Sequence, residues 1–219
     1  SNRRQRQMCI RDSISITSTG DGIQAVSINA GTMGDVTLNA QSGAITEDST
    51  ADFDDVVADV LTADATDAIT LDTTVAEMDI DTSGMSDIDL DNQNTTTLTI
   101  TSLSSAGGNI TLDHNEFGGS GDLSIPGTVS SGGGGTDGGD IEIRAENDGF
   151  TVQGTGVVSS LDGMGGMVDT FGVSLLAGSM LNPGAGNITL VGGGDLIVET
   201  DIITASGDIQ LAAPRDVII

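Results

Sequence analysis

The sequence predicts an all-β fold, a parallel β-helix (β-solenoid) with about 20–22 residues per coil. Three observations predict it. The composition is that of short strands and turns: Ile, Val, Leu and Ala carry the apolar mass, Gly occurs 32 times, Trp and Tyr are absent and Phe occurs only 4 times. A five-residue phrase recurs along the chain. The copies of that phrase return at a regular interval, which is the mark of stacked coils.

From the N-terminus, the stretch Arg3–Asp12 (RRQRQMCIRD) resembles a translated DNA-sequencing adapter. Residues 1–12 are therefore read as a non-native segment and excluded from fold reasoning. Residues 13–219 are read as a solenoid fragment truncated at both ends. Without the segment, Cys9 and four of the 6 basic residues disappear, leaving Arg144 and Arg215 against 32 acidic residues, a charge of −30. With no other cysteine, neither a disulfide framework nor a thiolate metal site is available. The charge repels nucleic-acid phosphate and anionic lipid. No apolar run approaches the ~18 residues that a membrane-spanning helix needs.

The segment Asp52–Ala63 places Phe53, Val56, Val57, Val60 and Leu61 at spacings that fit a helix. Its β-branched residues and missing stop signal favour a strand. The phrase itself reads Gly or a small residue, Asp or Asn, apolar, any, apolar. It appears as Gly34–Leu38, Gly108–Leu112, Gly121–Ile125, Gly139–Ile143, Gly186–Leu190, Gly194–Val198 and Gly207–Leu211, with weaker copies at Asp67–Leu71, Ser86–Leu90 and Arg215–Ile219. Gly and Asp/Asn make the turn, and the two apolar residues then point to one side of a strand. Asn187 to Asp208 is 21 residues, Asp67 to Asp87 is 20 and Asp87 to Asn109 is 22. Antiparallel hairpins would give no such longer period. Ile110, Leu112, Leu123, Ile125, Ile141, Ile143, Ile188, Leu190, Leu196, Val198, Ile209 and Leu211 are expected in one core. Loop excursions are expected near 130–139 and 159–182, where Gly-rich and Met-containing stretches break the rhythm.

The phrases Ala185–Leu190, Gly194–Val198 and Gly207–Ala213 resemble the repeats of filamentous-haemagglutinin-type adhesins and related giant bacterial exoproteins. That resemblance implies a right-handed parallel β-helix exported to the cell surface or the extracellular space. It also implies partners among glycans or proteins of host, matrix or neighbouring cells.

The inventory of reactive groups points away from catalysis. Polysaccharide lyases and hydrolases on β-helices set carboxylates beside Arg, Lys or His. Here only Arg144, Arg215 and His114 are on offer. Arg144 alternates with Glu142 and reads as an outward surface residue. His114, in Leu112-Asp113-His114-Asn115-Glu116, reads as a solvated turn residue just past a strand. A lone His is a poor transition-metal ligand set. No nucleophile elbow or phosphate loop is visible. No catalytic, cofactor or metal site is expected beyond weak calcium binding. For calcium, Gly132–Asp137 fits a glycine-rich nonapeptide only in part, since Gly139 stands where a bulky apolar residue belongs. Asp79–Gly84 matches half of a helix-loop site, with Leu90 in place of the bidentate Glu. Carboxylates stacked on successive coils would repel one another, and a hard cation would relieve that repulsion.

Overall fold

The computed structural model describes residues 13–47, 55–114 and 123–132, and beyond them the strand segments between 141 and 219. The described residues form strands and no helix. The first coils contain β1 (Ser13–Ser18), β2 (Ile23–Gln24), β3 (Ile28–Asn29), β4 (Asp35–Ala40), β5 (Ile45–Thr46) and β6 (Val56–Ala65). Next come β7 (Ile69–Thr82), β8 (Ile88–Asn92), β9 (Leu98–Ser105), β10 (Ile110–His114), β11 (Leu123–Ile125) and β12 (Thr128–Ser131). Then follow β13 (Ile141–Ala145), β14 (Phe150–Val152), β15 (Val157–Ser160), β16 (Val173–Leu175) and β17 (Met180–Asn182). The last are β18 (Ile188–Val191), β19 (Leu196–Val198), β20 (Asp201–Ile202), β21 (Ile209–Ala212) and β22 (Val217–Ile218).

The pairings turn these strands into a parallel β-solenoid. One face runs β1, β4, β6, β7, β9, β12, β15, β17, β20, each strand parallel to the next. A second face runs β2, β5, β7, β8, β10, β13, and the pair β18–β21 is likewise parallel. A third passes from β3 through β6, β7, β9, β11, β14, β16 and β19 to β22. Hairpins are absent among the described strands. The expected strand in 52–63 is β6.

Register explains why the repeated phrase exists. Its first apolar residue stacks as Ile45, Ile69, Ile88, Ile110 and Ile141, and its second as Leu71, Leu90, Leu112 and Ile143. Strand alternation then seals like on like: Ile69, Leu71, Ile88, Leu90, Ile110, Leu112 and Ile143 are all buried. On the first face small residues interleave with large ones, so Leu38 stacks on Ala63 and Ala63 on Ile80. Each Leu or Ile buried in this way contributes about 1.5–3 kcal/mol. Of the expected core residues, Ile110, Leu112, Leu123, Ile125 and Ile143 are buried and Leu211 packs, partly exposed, against the core. The side chains of Ile141, Ile188, Leu190, Leu196, Val198 and Ile209 lie outside the described residues. In register, Ile188 stands opposite Ile209 and Leu190 opposite Leu211.

The turn half of the phrase is explained at Gly108. A Cβ there would lie 2.1 Å from the carbonyl oxygen of Ser86 and 2.6 Å from the amide nitrogen of Asp87, on the coil below. The next residue, Asn109, donates its N–H to Asp87 Oδ1 at 2.7 Å. Ser105 finishes the corner: its hydroxyl donates to Ser86 O at 2.9 Å and accepts from the Gly108 N–H at 2.7 Å. Coils therefore meet so closely at this corner that only glycine fits.

The coil length is less uniform than the 20–22 residues expected. Along the first face Asp35 stands 22 positions after its partner Ser13, Val60 25 after Asp35, Glu77 17 after Val60, and Thr128 26 after Ser102. Corners absorb these differences, because only strand positions must stay in register. The 159–182 stretch, expected as an excursion, contributes β16 and β17 to the stack. Residues 133–139 lie outside the described residues, as does the 1–12 segment.

Candidate functional site

The described acidic side chains converge most closely beside β5. Glu47 follows β5 directly, Asp55 directly precedes β6 and Asp72 sits on β7, whose Ile69 pairs with Ile45. One carboxylate oxygen from each of the three lies within 4.8 Å of the others. Asp55 is only 1% exposed, and its main-chain carbonyl accepts the N–H of Ile28 at 2.7 Å, which ties it to the coil beneath. The Asp72 carboxyl is pushed up to about 7. Burial is the main cause, followed by the charges of Glu47, Asp91 and Asp55 and a hydrogen bond with Glu47. Near neutral pH the Asp72 carboxyl is therefore only partly ionised. Three carboxylates are hard oxygen donors of the kind that suit calcium or magnesium.

A second acidic zone lies on the outward side of the first face. There Asn39, Asp64, Asp81 and Ser104 form one column and Thr37, Thr62, Asp79 and Ser102 another. Burial and neighbouring carboxylates raise the Asp64 and Asp79 carboxyls above the usual range. Asp81 accepts the hydroxyl of Ser102 at 3.1 Å and also that of Ser104. A shallow depression of about 240 Å³, lined by Asn39, Gln41, Asp64, Thr66, Asp81 and Ser83, opens at the edge of these columns. On the second face Asp89 is raised as well, by burial and by Asp87.

His114 is not where the sequence reading put it. It is the last residue of β10 and is fully buried. The alternation that buries Ile110 and Leu112 continues one step further and carries the imidazole inward with them. Its Nδ1 lies 3.2 Å from Asn92 Nδ2 on the coil below. Asn92 Oδ1 in turn accepts the Thr73 hydroxyl at 2.8 Å and the Val75 N–H at 3.0 Å. Thr73, Asn92 and His114 occupy the same register position on β7, β8 and β10.

The other candidates fall as follows. Arg144 stands in register with Asp113, two positions after Glu142 on β13; its side chain and all of Arg215 lie outside the described residues. Asp79–Thr82 belongs to the extended strand β7. Asp79 and Asp81 consequently project to one side of a sheet and do not wrap a cation as a loop would. Of Gly132–Asp137 only Gly132, with φ of 82°, is described. The sequence reading missed the Glu47–Asp55–Asp72 group, whose members share no local motif. No family model matches the chain, and neither a curated protein sequence nor a solved structure matches it.

Proposed function

We propose that this chain is a segment of a non-catalytic, adhesive stalk belonging to a large secreted or cell-surface bacterial protein. The observation that supports this reading best is the burial of His114. The chain's one histidine is built into the core, where it links two coils and is withdrawn from surface chemistry. What remains on the described outer faces is a polar, acid-rich surface of Ser, Thr, Asn and Asp columns. Such a surface recognises partners by many weak contacts, and tandem display of coils raises avidity. Partners of matching chemistry are the glycans or proteins of host, matrix or neighbouring cells, with multivalent cations bridging where the partner is itself acidic.

The test is a panel of acidic and neutral polysaccharides assayed for both retention and cleavage. The stalk reading expects retention of some members and cleavage of none. Turnover that vanishes in Arg144→Ala would establish the alternative, a polysaccharide-active lyase or hydrolase on the same fold.

A second reading, a calcium-binding module, is favoured by the convergence of Glu47, Asp55 and Asp72. Calcium added at pH 8 is then expected to raise the melting temperature. Linkage gives about 2.7 kcal/mol at a concentration one hundred times Kd. Asp72→Asn should remove most of the response. An identical response in wild type and variant would assign calcium to the general acidic surface.

A further inference from the structure

We propose that Thr73, Asn92 and His114 form a proton-operated latch between coils: the β8–β10 rung is closed while His114 is neutral and opens when the imidazole takes a second proton.

The argument starts from Asn92. The Val75 N–H can only donate, so the Asn92 atom 3.0 Å away must be the carbonyl oxygen. The same oxygen accepts the Thr73 hydroxyl at 2.8 Å. With its oxygen fixed from two directions, Asn92 can turn only its NH₂ toward His114. Nδ1 of His114, 3.2 Å away, must then offer a lone pair, which makes the ring neutral with its proton on Nε2. An imidazolium carries N–H on both nitrogens. A proton on Nδ1 would face the Asn92 NH₂ donor to donor. Turning Asn92 over would instead set its NH₂ against the Val75 N–H.

The charged positions nearby alternate with the ladder along the strands. Those packed against His114 carry Asp89 and Asp91 on β8, Asp113 on β10 and Glu142 and Arg144 on β13. Asp89, Asp91 and Asp113 stand on the outward side of their strands, and Glu142 and Arg144 occupy register positions that alternate with the ladder. On β7 the neighbour of Thr73 is Asp72, which also stands outward. In the ladder itself the positions flanking His114 hold Asn92 and Ala145. Glu116 and Asp122 lie outside the described residues. Holding a cation in a core, on the side away from these carboxylates, is strongly unfavourable, so the proton is taken up only as the rung opens.

Because the chain holds a single histidine, ¹⁵N-histidine labelling of the full chain reports this ring alone. At pH 7.5 the spectrum should show the neutral tautomer protonated at Nε2. On acidification, the imidazole signal should change in the same pH step in which the amides of β8 and β10 lose hydrogen-exchange protection. A ring that titrates while those amides stay protected, or that carries its proton on Nδ1 at pH 7.5, would overturn the latch. His114→Gln supplies a second measurement, since a glutamine oxygen can accept from Asn92 without ever charging. The melting temperature of wild type relative to this variant should fall as pH drops from 7 to 5. Carboxylate titration is common to both and cancels in the comparison. Parallel pH profiles would overturn the proposal as well. Should the variant fail to fold, the labelled wild type alone decides.

Discussion

Replacing Gly108 with alanine is expected to lower the unfolding free energy by about 3 kcal/mol, at the upper end of overpacking costs. The added methyl group would lie 2.1 Å from Ser86 O, 2.2 Å from Ser86 C and 2.6 Å from Asp87 N. All three are backbone atoms, held by the β8–β10 pairing and by the Asn109–Asp87 hydrogen bond. They cannot move aside as the end of a flexible side chain would. Relief requires separating two coils, which loosens Ile88 from Ile110 and Leu90 from Leu112 at once. The measurement is urea unfolding, where the midpoint should drop with little change in slope. Two other glycines separate the causes. A methyl group added at Gly20 would meet nothing within 4 Å. Its alanine variant should therefore stay within about 0.5 kcal/mol of wild type. Gly31 also faces open space but has φ of 74°. Alanine there should cost about 1–2 kcal/mol through backbone strain alone. If Gly108→Ala behaves like Gly20→Ala, the close approach of coils at this corner is wrong.

The contribution of Asp72 to stability is also expected to become more favourable as the pH is lowered from 8 to 5, opposite to the usual carboxylate response. Asp72 is raised from an ordinary 3.8 to about 7 in the folded chain. Between those values the folded state binds more protons than the unfolded one, so unfolding becomes easier as the pH rises. The destabilisation is complete above pH 7 and absent below 3.8. Taken at face value the shift corresponds to about 4 kcal/mol. Solvent around this part-exposed group reduces it to roughly 1–2 kcal/mol. Asp64, Asp79 and Asp89 are shifted in the same direction and add to the slope. Asp72→Asn should therefore be the more stable protein at pH 8, by that amount, and the gap should close toward pH 4. A gap that does not vary with pH would mean that Asp72 is an ordinary surface carboxylate. Because the comparison is between variant and wild type, His114 contributes equally to both sides.

Most of the fold was legible because one constraint, stacking in register, writes itself into the sequence at every coil. Ile110 and Leu112 can be placed in the core from their phrase alone, and the structure places them there. Coil length was less legible. Register binds only strand positions, so a corner can lengthen without leaving a trace in the alternation. The buried polar ladder was legible in principle. Extending the phrase by two residues gives Leu71-Asp72-Thr73, Leu90-Asp91-Asn92 and Leu112-Asp113-His114, with the third residue always in phase with the buried leucine. Ending the strand at Leu112 hid His114, because a histidine after Asp looks like a turn when its phase is ignored. The acidic group was not legible at all. Glu47, Asp55 and Asp72 meet only because β5 and β6 both pair with β7, and no spacing rule announces that meeting.

The parallel stack also sets how the molecule would carry a load. Hydrogen bonds between successive strands run along the axis of the solenoid, while the strands lie across it. Tension applied along the axis is therefore borne by the coils in series, whereas the three faces of one coil share it in parallel. The long β6–β7 pairing spreads its share over most of a coil, while β2 and β5 meet through two residues each. In a stack that interacts only between neighbours, yielding at one junction leaves the remaining coils folded. A rod of this kind lengthens step by step under force, releasing chain from its thinnest junction first and keeping the rest of its surface intact.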